Sequence, residues 1–199
     1  MRISTPVSSL ATSLAALLAL SGCASTPDTA AESTPAAPEA APQAPATSTL
    51  TSATANLAAA SGSLASGQLQ LMPMRDGVHV TGEIGGLKPN GTHAFHIHEK
   101  GDCSAADASS AGGHFNPTAQ PHGRVSHPQH HAGDNDNLVA DAEGVAKVDA
   151  HFPGVVLGGG SATDVVGKAI VVHADPDDYT SQPSGNAGAR IACGVIQGG

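Results

Sequence analysis

Apolar and polar residues alternate along much of the chain after residue 51. Leu69 and Leu71 alternate with glutamines, and Val78, Val80 and Ile84 alternate with polar residues. Because a period of two places neighbouring side chains on opposite faces of a strand, these runs predict half-buried β-strands. By the same pattern, strands are predicted over residues 52–58, 68–71, 78–84, 92–98, 146–152, 168–173 and 191–196.

Turn signals such as Asp76-Gly77 and Asn90-Gly91 separate the predicted strands. About eight short strands without a convincing helix predict an all-β fold, an antiparallel sandwich or barrel. Between His98 and Asp141 lies a long stretch that has no strand pattern. A loop of that length in a compact domain indicates a function.

The first 22 residues have the build of an export signal. Arg2 provides a short positive region, and an uncharged stretch of small residues and leucines follows, too short for a comfortable transmembrane helix. The segment Leu20-Ser21-Gly22-Cys23 resembles the bacterial lipobox, in which the cysteine is lipidated and becomes the mature N-terminus. We therefore expect residues 1–22 to be a lipoprotein signal peptide; the alternative is plain cleavage near Ala24.

Residues 23–50 are rich in Ala, Pro, Thr and Ser and lack apolar periodicity. Such a composition cannot bury enough apolar surface to offset the entropy of ordering, so we predict a disordered tether. Residues 51–199 remain as the folded domain. If Cys23 carries lipid, the tether would join this domain to a membrane.

Composition narrows the function. Aromatic residues make up only 2% of the chain, so aliphatic side chains must build the core. The formal net charge is −9 and the eight Lys and Arg residues are scattered, which argues against a nucleic-acid partner. Of three cysteines, Cys103 and Cys193 remain as a pair in an oxidising compartment if Cys23 is lipidated. Histidine is unusually frequent, with eleven residues in the chain.

Two of these histidines lie on one predicted strand. His96 and His98 face the same way, while Phe95 and Ile97 face the other way. Two imidazoles about 7 Å apart on one strand face can converge on one metal ion. His93 shares the face of Phe95, so we expect it to be a buried, hydrogen-bonded histidine.

The long loop adds four further donors. His114, His122, His131 and Asp134 follow one another at spacings of eight, nine and three residues. Three imidazole nitrogens and one carboxylate oxygen form the closed tetrahedral set that a structural zinc site requires. His130 neighbours His131, and only the spacing to Asp134 selects His131. His127 is expected to be solvated or an adventitious metal contact.

Five segments resemble the signature segments of the copper,zinc superoxide dismutases, and they occur in the order of that family. They are residues 91–102, 112–117, 131–134, 171–178 and 185–195, and the match covers essentially all of residues 51–199. The resemblance implies an eight-stranded antiparallel Greek-key barrel with long metal-binding and active-site loops. This fold agrees with the strand pattern.

The resemblance also implies one copper and one zinc ion per chain. The copper ligands that it implies are His96, His98, His114 and His173. The zinc ligands that it implies are His114, His122, His131 and Asp134, so that both ions share His114.

Four other residues receive roles from the resemblance. Asp177 matches the carboxylate that links a copper ligand to a zinc ligand, and Arg190 matches the arginine beside copper. Cys103 and Cys193 match the intrachain disulfide. The activity implied is disproportionation of superoxide to O2 and H2O2, with His114 and Arg190 as catalytic residues.

The chain departs from the eukaryotic members of the family that it resembles in the residues that guide superoxide to the copper site. The 16 residues between His173 and Arg190 include no Lys or Arg. Either Lys100, Arg124 or Lys168 attracts the anion instead, or association is slower, since steering depends on the local field and not on net charge.

Two further hypotheses compete with the enzyme. One is a protein of the same fold that binds or delivers copper or zinc, and the other is a structural envelope lipoprotein. A carrier needs neither Arg190 nor a shared histidine. We expect a monomer or homodimer on the periplasmic side of a bacterial envelope, with Ala24 after Cys23 resembling outer-membrane sorting.

Overall fold

Nine β-strands and one 3-10 turn make up the regular structure of residues 46–199, the part of the chain that this computed structural model describes. The strands are β1 Ala53–Ala59, β2 Ser66–Pro73, β3 Gly77–Gly85, β4 Thr92–His93, β5 Phe95–His98, β6 Leu138–Val139, β7 Ala146–Pro153, β8 Ala169–His173 and β9 Arg190–Gly198. The 3-10 turn spans Ser109–Ala111. Within residues 46–199, no helix has the length and apolar character needed to cross a membrane.

Seven strands form one antiparallel sheet in the order β5-β8-β9-β1-β2-β3-β7, and β4 pairs with β6. The edge strands β5 and β7 are far apart in this order, yet the rings of Phe95 and Phe152 lie 5.9 Å apart in the core. The sheet therefore curls until its two edges face each other. This architecture confirms the prediction of an all-β antiparallel barrel or sandwich.

The strand predicted over residues 92–98 is divided in the structure. At Ala94 the chain changes partners, from β6 on one side to β8 on the other. The backbone N–H of Ala94 donates to Asp175, and its carbonyl accepts from His173. The partner strand β6 is only two residues long, so it shows no period of two and was not predicted.

The main core fills the inside of the curled sheet with aliphatic side chains and a few phenylalanines, such as Leu69, Val80 and Phe152. A smaller apolar cluster lies outside β8 and β9, where Val171 and Cys193 pack against Ala108 and Ala111. Both faces of β8 are therefore buried. The outer layer fixes the loop after β5 against the sheet.

A disulfide joins the same loop to the sheet. Cys103 is bonded to Cys193 of β9, and this confirms the predicted pairing. The bond closes a sequence separation of 90 residues. It therefore connects the loop that follows β5 to the last strand of the domain.

The folded domain begins slightly before the predicted boundary at residue 51. The backbone N–H groups of Thr49 and Leu50 both donate to Leu157, and the Ser48 hydroxyl accepts from Leu157. Residues 48–50, assigned above to the tether, therefore belong to the domain because their polar groups and the Leu50 side chain pack on it. The signal peptide over 1–22, the lipidation site Cys23 and most of the tether lie outside the described residues.

Candidate metal centre

Strand β5 presents two histidines on the outer face of the curled sheet. Phe95 and Ile97 point into the main core, and His96 and His98 point away from it, with ring centroids 6.4 Å apart. Both imidazoles are completely buried under the loops that follow β5 and β8. This is the arrangement that the period-two pattern predicts.

A β-bulge orients the side chain of His173 towards His96 and His98. His173 is the last residue of β8, and the register shifts between Val172 and His173. Val172 pairs with Ala192 while His173 pairs with Arg190, so one residue of β9 is left without a partner. Bulges of this kind turn a side chain to a new direction. His173 and Arg190 consequently lie opposite each other at the edge of the site.

Backbone pairing brings His114 beside β5. His98 and His114 form an isolated antiparallel bridge. The backbone N–H of Phe115 donates to Ile97, and the Phe115 carbonyl accepts from Gly133. A methyl group at Gly133 would overlap the carbonyl oxygen of Ile97. Only glycine fits there, so the loop can return close enough to place its neighbour Asp134 next to His114.

The structure brings all seven predicted ligands together in two groups that share one residue. In each group the donor atoms lie within 4.8 Å of one another, and every member is buried. The first group consists of His96, His98, His114 and His173. The second group consists of His114, His122, His131 and Asp134.

The donor atoms fit metal ions because several have no other partner. Nδ1 of His96, Nε2 of His114, Nδ1 of His122 and Nδ1 of His131 are buried without a hydrogen bond. A buried polar atom that lacks a partner costs about 1–3 kcal/mol. Four such nitrogens in one place are best explained as ligands whose partners are cations.

Asp134 organises the second group. Its Oδ1 lies 2.7 Å from Nδ1 of His114, 3.0 Å from Nδ1 of His122 and 3.2 Å from Nδ1 of His131. Its Oδ2 accepts the backbone N–H groups of Gly123 and His131. One carboxylate oxygen is thus held by the backbone while the other faces three imidazoles, as a tetrahedrally coordinated ion would require.

Asp177 connects the two groups without belonging to either. Oδ2 lies 2.8 Å from Nε2 of His96, and Oδ1 lies 2.9 Å from Nε2 of His122. Both imidazoles therefore direct Nδ1 towards their own donor group. A methyl group at Gly185 would overlap Oδ1 of Asp177, so only a glycine at this position leaves the carboxylate in place.

Three residues that support Asp177 or its partner His122 were not predicted from the sequence. Asn137 accepts the backbone N–H of Asp177 and donates to its carbonyl, and the backbone N–H of Tyr179 donates to Oδ1. Gln182 accepts from the backbone N–H of His122 and donates to its carbonyl. The contacts of Asn137 and Gln182 join residues 40 and 60 positions apart, so no local pattern signals them.

Arg190 lies in an open cleft beside the first group. The cleft has a volume of about 690 Å³ and is lined by His98, His114, His173 and Arg190 among others. The guanidinium donates to the carbonyl oxygens of Ala108, at 2.7 Å, and Gly112, at 2.6 Å. Two of its five N–H groups are thereby fixed, and the others remain available to an anion.

Burial keeps the first group in the state that binds metal. It lowers the pKa of His98 well below the ordinary value, that of His114 to about 4 and that of His173 to about 3. These imidazoles are neutral at pH 7. Neutral nitrogen is the form that coordinates a metal ion.

Two carboxylates change the charge of the second group. Burial opposes the charged form of His122, but Asp134 and Asp177 outweigh burial and raise the pKa of His122 to about 9. Although burial also opposes ionisation of the two carboxylates, the surrounding histidines hold the pKa of Asp134 and of Asp177 well below its usual range. An ion entering this group must therefore displace a proton from His122.

The remaining histidines lie outside both groups. His93 is buried, with Nδ1 2.9 Å from the carbonyl oxygen of His173, which confirms the predicted structural role. His130 directs Nδ1 to the carbonyl of His131, and His127 is exposed. Arg124, considered above as an attracting cation, pairs with Asp136 at 2.9 Å.

Comparison with known proteins decides the family. Residues 65–196 match the family described as copper/zinc superoxide dismutase (SODC). The chain belongs to the copper/zinc superoxide dismutase family. The two donor groups are accordingly the places in this chain for one copper and one zinc ion.

Bacterial proteins are among the relatives of the chain. A copper-zinc superoxide dismutase of Aquifex aeolicus is 43% identical over 134 residues, which cover 66% of this chain and 78% of the relative. One from Caulobacter vibrioides is 45% identical over 126 residues, covering 61% and 72% of the two chains.

Solved structures of the family include a double mutant of a superoxide dismutase-like protein from Bacillus subtilis. In that mutant a tyrosine and a proline are replaced by histidines. It is 39% identical to this chain, with a TM-score of 0.66, and the match covers 73% of this chain and 97% of the other. Because the family includes proteins described only as superoxide dismutase-like, the function of each member must be inferred from the metal ligands that its own chain contains.

Proposed function

We propose that this chain is a superoxide dismutase that converts two superoxide ions and two protons to O2 and H2O2. The observation that carries the proposal is the shared imidazole of His114. Four buried histidines converge beside Arg190 at an open cleft, and one of them also belongs to a second, closed donor group. A protein that only binds or delivers an ion has no need of this arrangement.

The donor sets distinguish the two ions. His96, His98, His114 and His173 offer four imidazoles, which suit copper, and His114, His122, His131 and Asp134 offer the nitrogen and oxygen set of a structural zinc site. Copper supplies reversible one-electron transfer when bound. Zinc has no redox chemistry, so the second group holds His114, His122 and the loop in a fixed geometry.

Arg190 would bind the substrate. Its guanidinium is fixed by two loop carbonyls and faces the cleft that His98 and His173 line. A charge-assisted hydrogen bond to the superoxide anion contributes about 1.5–3 kcal/mol. The residue therefore orients the anion next to the four imidazoles.

His114 would carry a proton to the product. Nε2 faces the first group, and Nδ1 faces Asp134 in the second group. A proton taken up at Nε2 can pass to the reduced dioxygen species in the cleft. Since Asp134 and the second group retain Nδ1, the ring keeps its position during the transfer.

A superoxide decay assay separates this function from metal binding or delivery. The copper- and zinc-loaded protein is compared with His96→Ala, which removes one imidazole of the first group only. We expect rapid decay with the wild-type protein and almost none with the variant. A wild-type protein that binds both metals tightly but leaves superoxide decay unchanged would support the binding or delivery function instead.

We also propose that the protein is a lipoprotein on the periplasmic side of a bacterial envelope, in the outer membrane. The uncharged stretch before Leu20-Ser21-Gly22-Cys23 and the oxidised pair Cys103–Cys193 both support export. Cys23→Ala should move the protein from the membrane fraction to the soluble fraction. A Cys23→Ala protein that still sediments with membranes would contradict lipidation at this position.

A further inference from the structure

A single basic side chain faces the open cleft beside the first donor group. Among the described residues, Arg190 is the one Lys or Arg that lines this cleft. Two of the basic residues considered above as attracting cations lie elsewhere. Arg124 pairs with Asp136, and Nζ of Lys168 lies 5.2 Å from the ring centroid of Phe115, a residue of the core. An anion that enters the cleft therefore meets one positive side chain.

Three exposed carboxylates border the same cleft, each against the backbone of a residue that lines it. We call Glu99, Asp107 and Asp175 the rim carboxylates. Oε1 of Glu99 accepts the backbone N–H of Gly113 at 3.2 Å, and Oδ1 of Asp107 accepts the backbone N–H of Ser109 at 3.0 Å. Gly113 and Ser109 both line the cleft, so these two negative charges lie at its edge.

Asp175 borders the cleft from the segment between His173 and Arg190. A methyl group at Gly188 would overlap Oδ2 of Asp175, so this carboxylate lies directly against another residue that lines the cleft. The carbonyl oxygen of Gly188 lies 3.4 Å from Nδ1 of His173. The charge of Asp175 is thus separated from an imidazole of the first donor group by a single residue.

Asp107 is also close to the guanidinium that would bind the substrate. Nη1 of Arg190 donates to the carbonyl oxygen of Ala108, the residue after Asp107, at 2.7 Å. Burial lowers the pKa of Arg190, and the negative charge of Asp107 opposes this shift. The field of Asp107 therefore acts on the place where the anion would be held.

The rim carboxylates outweigh Arg190 in charge, three against one. Copper and zinc bring positive charge when bound, but Asp134 and Asp177 neutralise part of it inside the donor groups. Exposed charges act over about a Debye length, roughly 10 Å at 0.1 M salt. An anion is consequently repelled by the rim before it comes within hydrogen-bonding distance of Arg190.

We propose that Glu99, Asp107 and Asp175 determine which anions reach Arg190. They slow the entry of every anion. Because the repulsion is proportional to the charge of the anion, they exclude a doubly charged anion more strongly than singly charged superoxide. The inference rests on the proposed function, since superoxide is the substrate of this cleft. Superoxide association is accordingly slower at low ionic strength than Arg190 alone would allow.

The dependence of superoxide decay on salt tests the repulsion in the copper- and zinc-loaded, full-length protein. The wild-type kcat/KM should rise as sodium chloride increases from about 10 mM to about 200 mM, because salt screens the rim carboxylates. At the lowest salt, Glu99→Gln, Asp107→Asn and Asp175→Asn should each be about twofold faster than the wild type, as expected for a unit charge about 8 Å away in water. Each amide keeps an acceptor oxygen, so only the charge is lost.

Anion binding tests the selectivity without turnover. The Nε–H resonance of Arg190 in the reduced, metal-loaded protein is followed by NMR during titration with sulfate and, separately, with nitrate at one low ionic strength. Removal of one rim charge should raise the affinity for nitrate about twofold and the affinity for sulfate about fourfold, because sulfate carries twice the charge.

Glu83→Gln is the matched control, because Glu83 is an exposed carboxylate on β3, a strand that contributes no residue to the cleft. It should leave the decay rate and both anion affinities unchanged. The proposal is overturned if the wild-type rate falls as salt rises, as it would if Lys100 attracted the anion. It is also overturned if the rim variants bind sulfate no more tightly than Glu83→Gln. Absence of superoxide decay would instead overturn the proposed function, while the sulfate titration would still test the rim carboxylates.

Discussion

Nη2 of Arg190 donates a hydrogen bond to the carbonyl oxygen of Gly112 at a distance of 2.6 Å. The same carbonyl lies 3.0 Å from Nδ1 of His98. One backbone oxygen thus positions both an imidazole of the first donor group and the cation that would bind substrate. The loop after β5 consequently sets the distance between anion and metal ligands.

Loss of the guanidinium should reduce activity without loss of metal. Arg190→Ala removes a charge-assisted contact of about 1.5–3 kcal/mol, so kcat/KM for superoxide should fall roughly ten- to a hundredfold. Stopped-flow superoxide decay and metal analysis on the same sample measure both effects. Arg124→Ala, which removes a cation paired with Asp136, should change the rate by less than about twofold. An Arg190→Ala rate equal to that of Arg124→Ala would show that Arg190 does not bind the substrate.

Asp177→Asn should weaken both metal sites. The amide retains the size of the carboxylate but offers only one acceptor oxygen, so His96 and His122 cannot both keep their present contacts. Removing a partner of a metal-binding histidine typically costs ten- to a hundredfold in metal affinity. Competition with a chelator measures the affinity for each metal. The exposed Asp178 is the matched control, and equal affinities for Asp177→Asn and Asp178→Asn would contradict the role of Asp177.

The disulfide should support both stability and the position of Arg190. Cys103 lies in the segment whose carbonyls hold Arg190, and Cys193 follows Arg190 on β9. Replacing both cysteines by serine should lower the free energy of unfolding by up to roughly 4–5 kcal/mol, and activity per bound copper should fall as well. Denaturant titration and superoxide decay provide the two readings. Unchanged activity per copper in a destabilised variant would show that the disulfide does not hold Arg190 in position.

Acid should destabilise the protein after its metals are removed by a chelator. The pKa of His114 is about 4 and that of His173 about 3, because burial disfavours their charged forms, whereas a histidine in the unfolded chain has a pKa of about 6.5. Between these values the unfolded chain binds protons that the native chain does not bind. Stability is therefore lost as pH falls below about 6.5, by up to about 1.4 kcal/mol per pH unit for each group.

His122 has the opposite dependence. Because its pKa is raised to about 9, its contribution to the free energy of unfolding is complete below about 6.5 and is lost as pH rises through 9.

Calorimetry tests the acid dependence that His114 and His173 cause. The chelator-treated protein should show a melting temperature that falls from pH 6.5 to pH 5. The exposed residue His127 offers a control, since His127→Gln should keep this dependence. A melting temperature that stays constant over this interval would contradict the burial of neutral histidines.

Local periodicity was enough to predict most of the strands and the shared face of His96 and His98. One sheet face is apolar and the other is functional, so alternation along β5 carries both signals. It could not reveal the break at Ala94 or the short strand β6, because both depend on a change of partner strand. The start of the domain near Ser48 depends on contacts with Leu157, more than a hundred positions away in the chain.

The ligands and their supports differ in how far sequence can predict them. Spacing and family resemblance selected the seven donors and Asp177. The side-chain amides of Asn137 and Gln182 bond to backbone groups 40 and 60 positions away in the chain, and Gly112 acts through its backbone carbonyl, so no local pattern marks these residues. Only the three-dimensional arrangement shows which residues hold the donors in place.

The yield of hydrogen peroxide during superoxide decay tests the superoxide dismutase function most directly. The copper- and zinc-loaded protein is mixed with a large excess of superoxide, and the loss of superoxide and the formation of O2 and H2O2 are followed together. We predict fast decay over many turnovers, with one H2O2 and one O2 formed for every two superoxide ions consumed. Decay that stops after about one superoxide per copper would show a redox-active binding site and would contradict a superoxide dismutase.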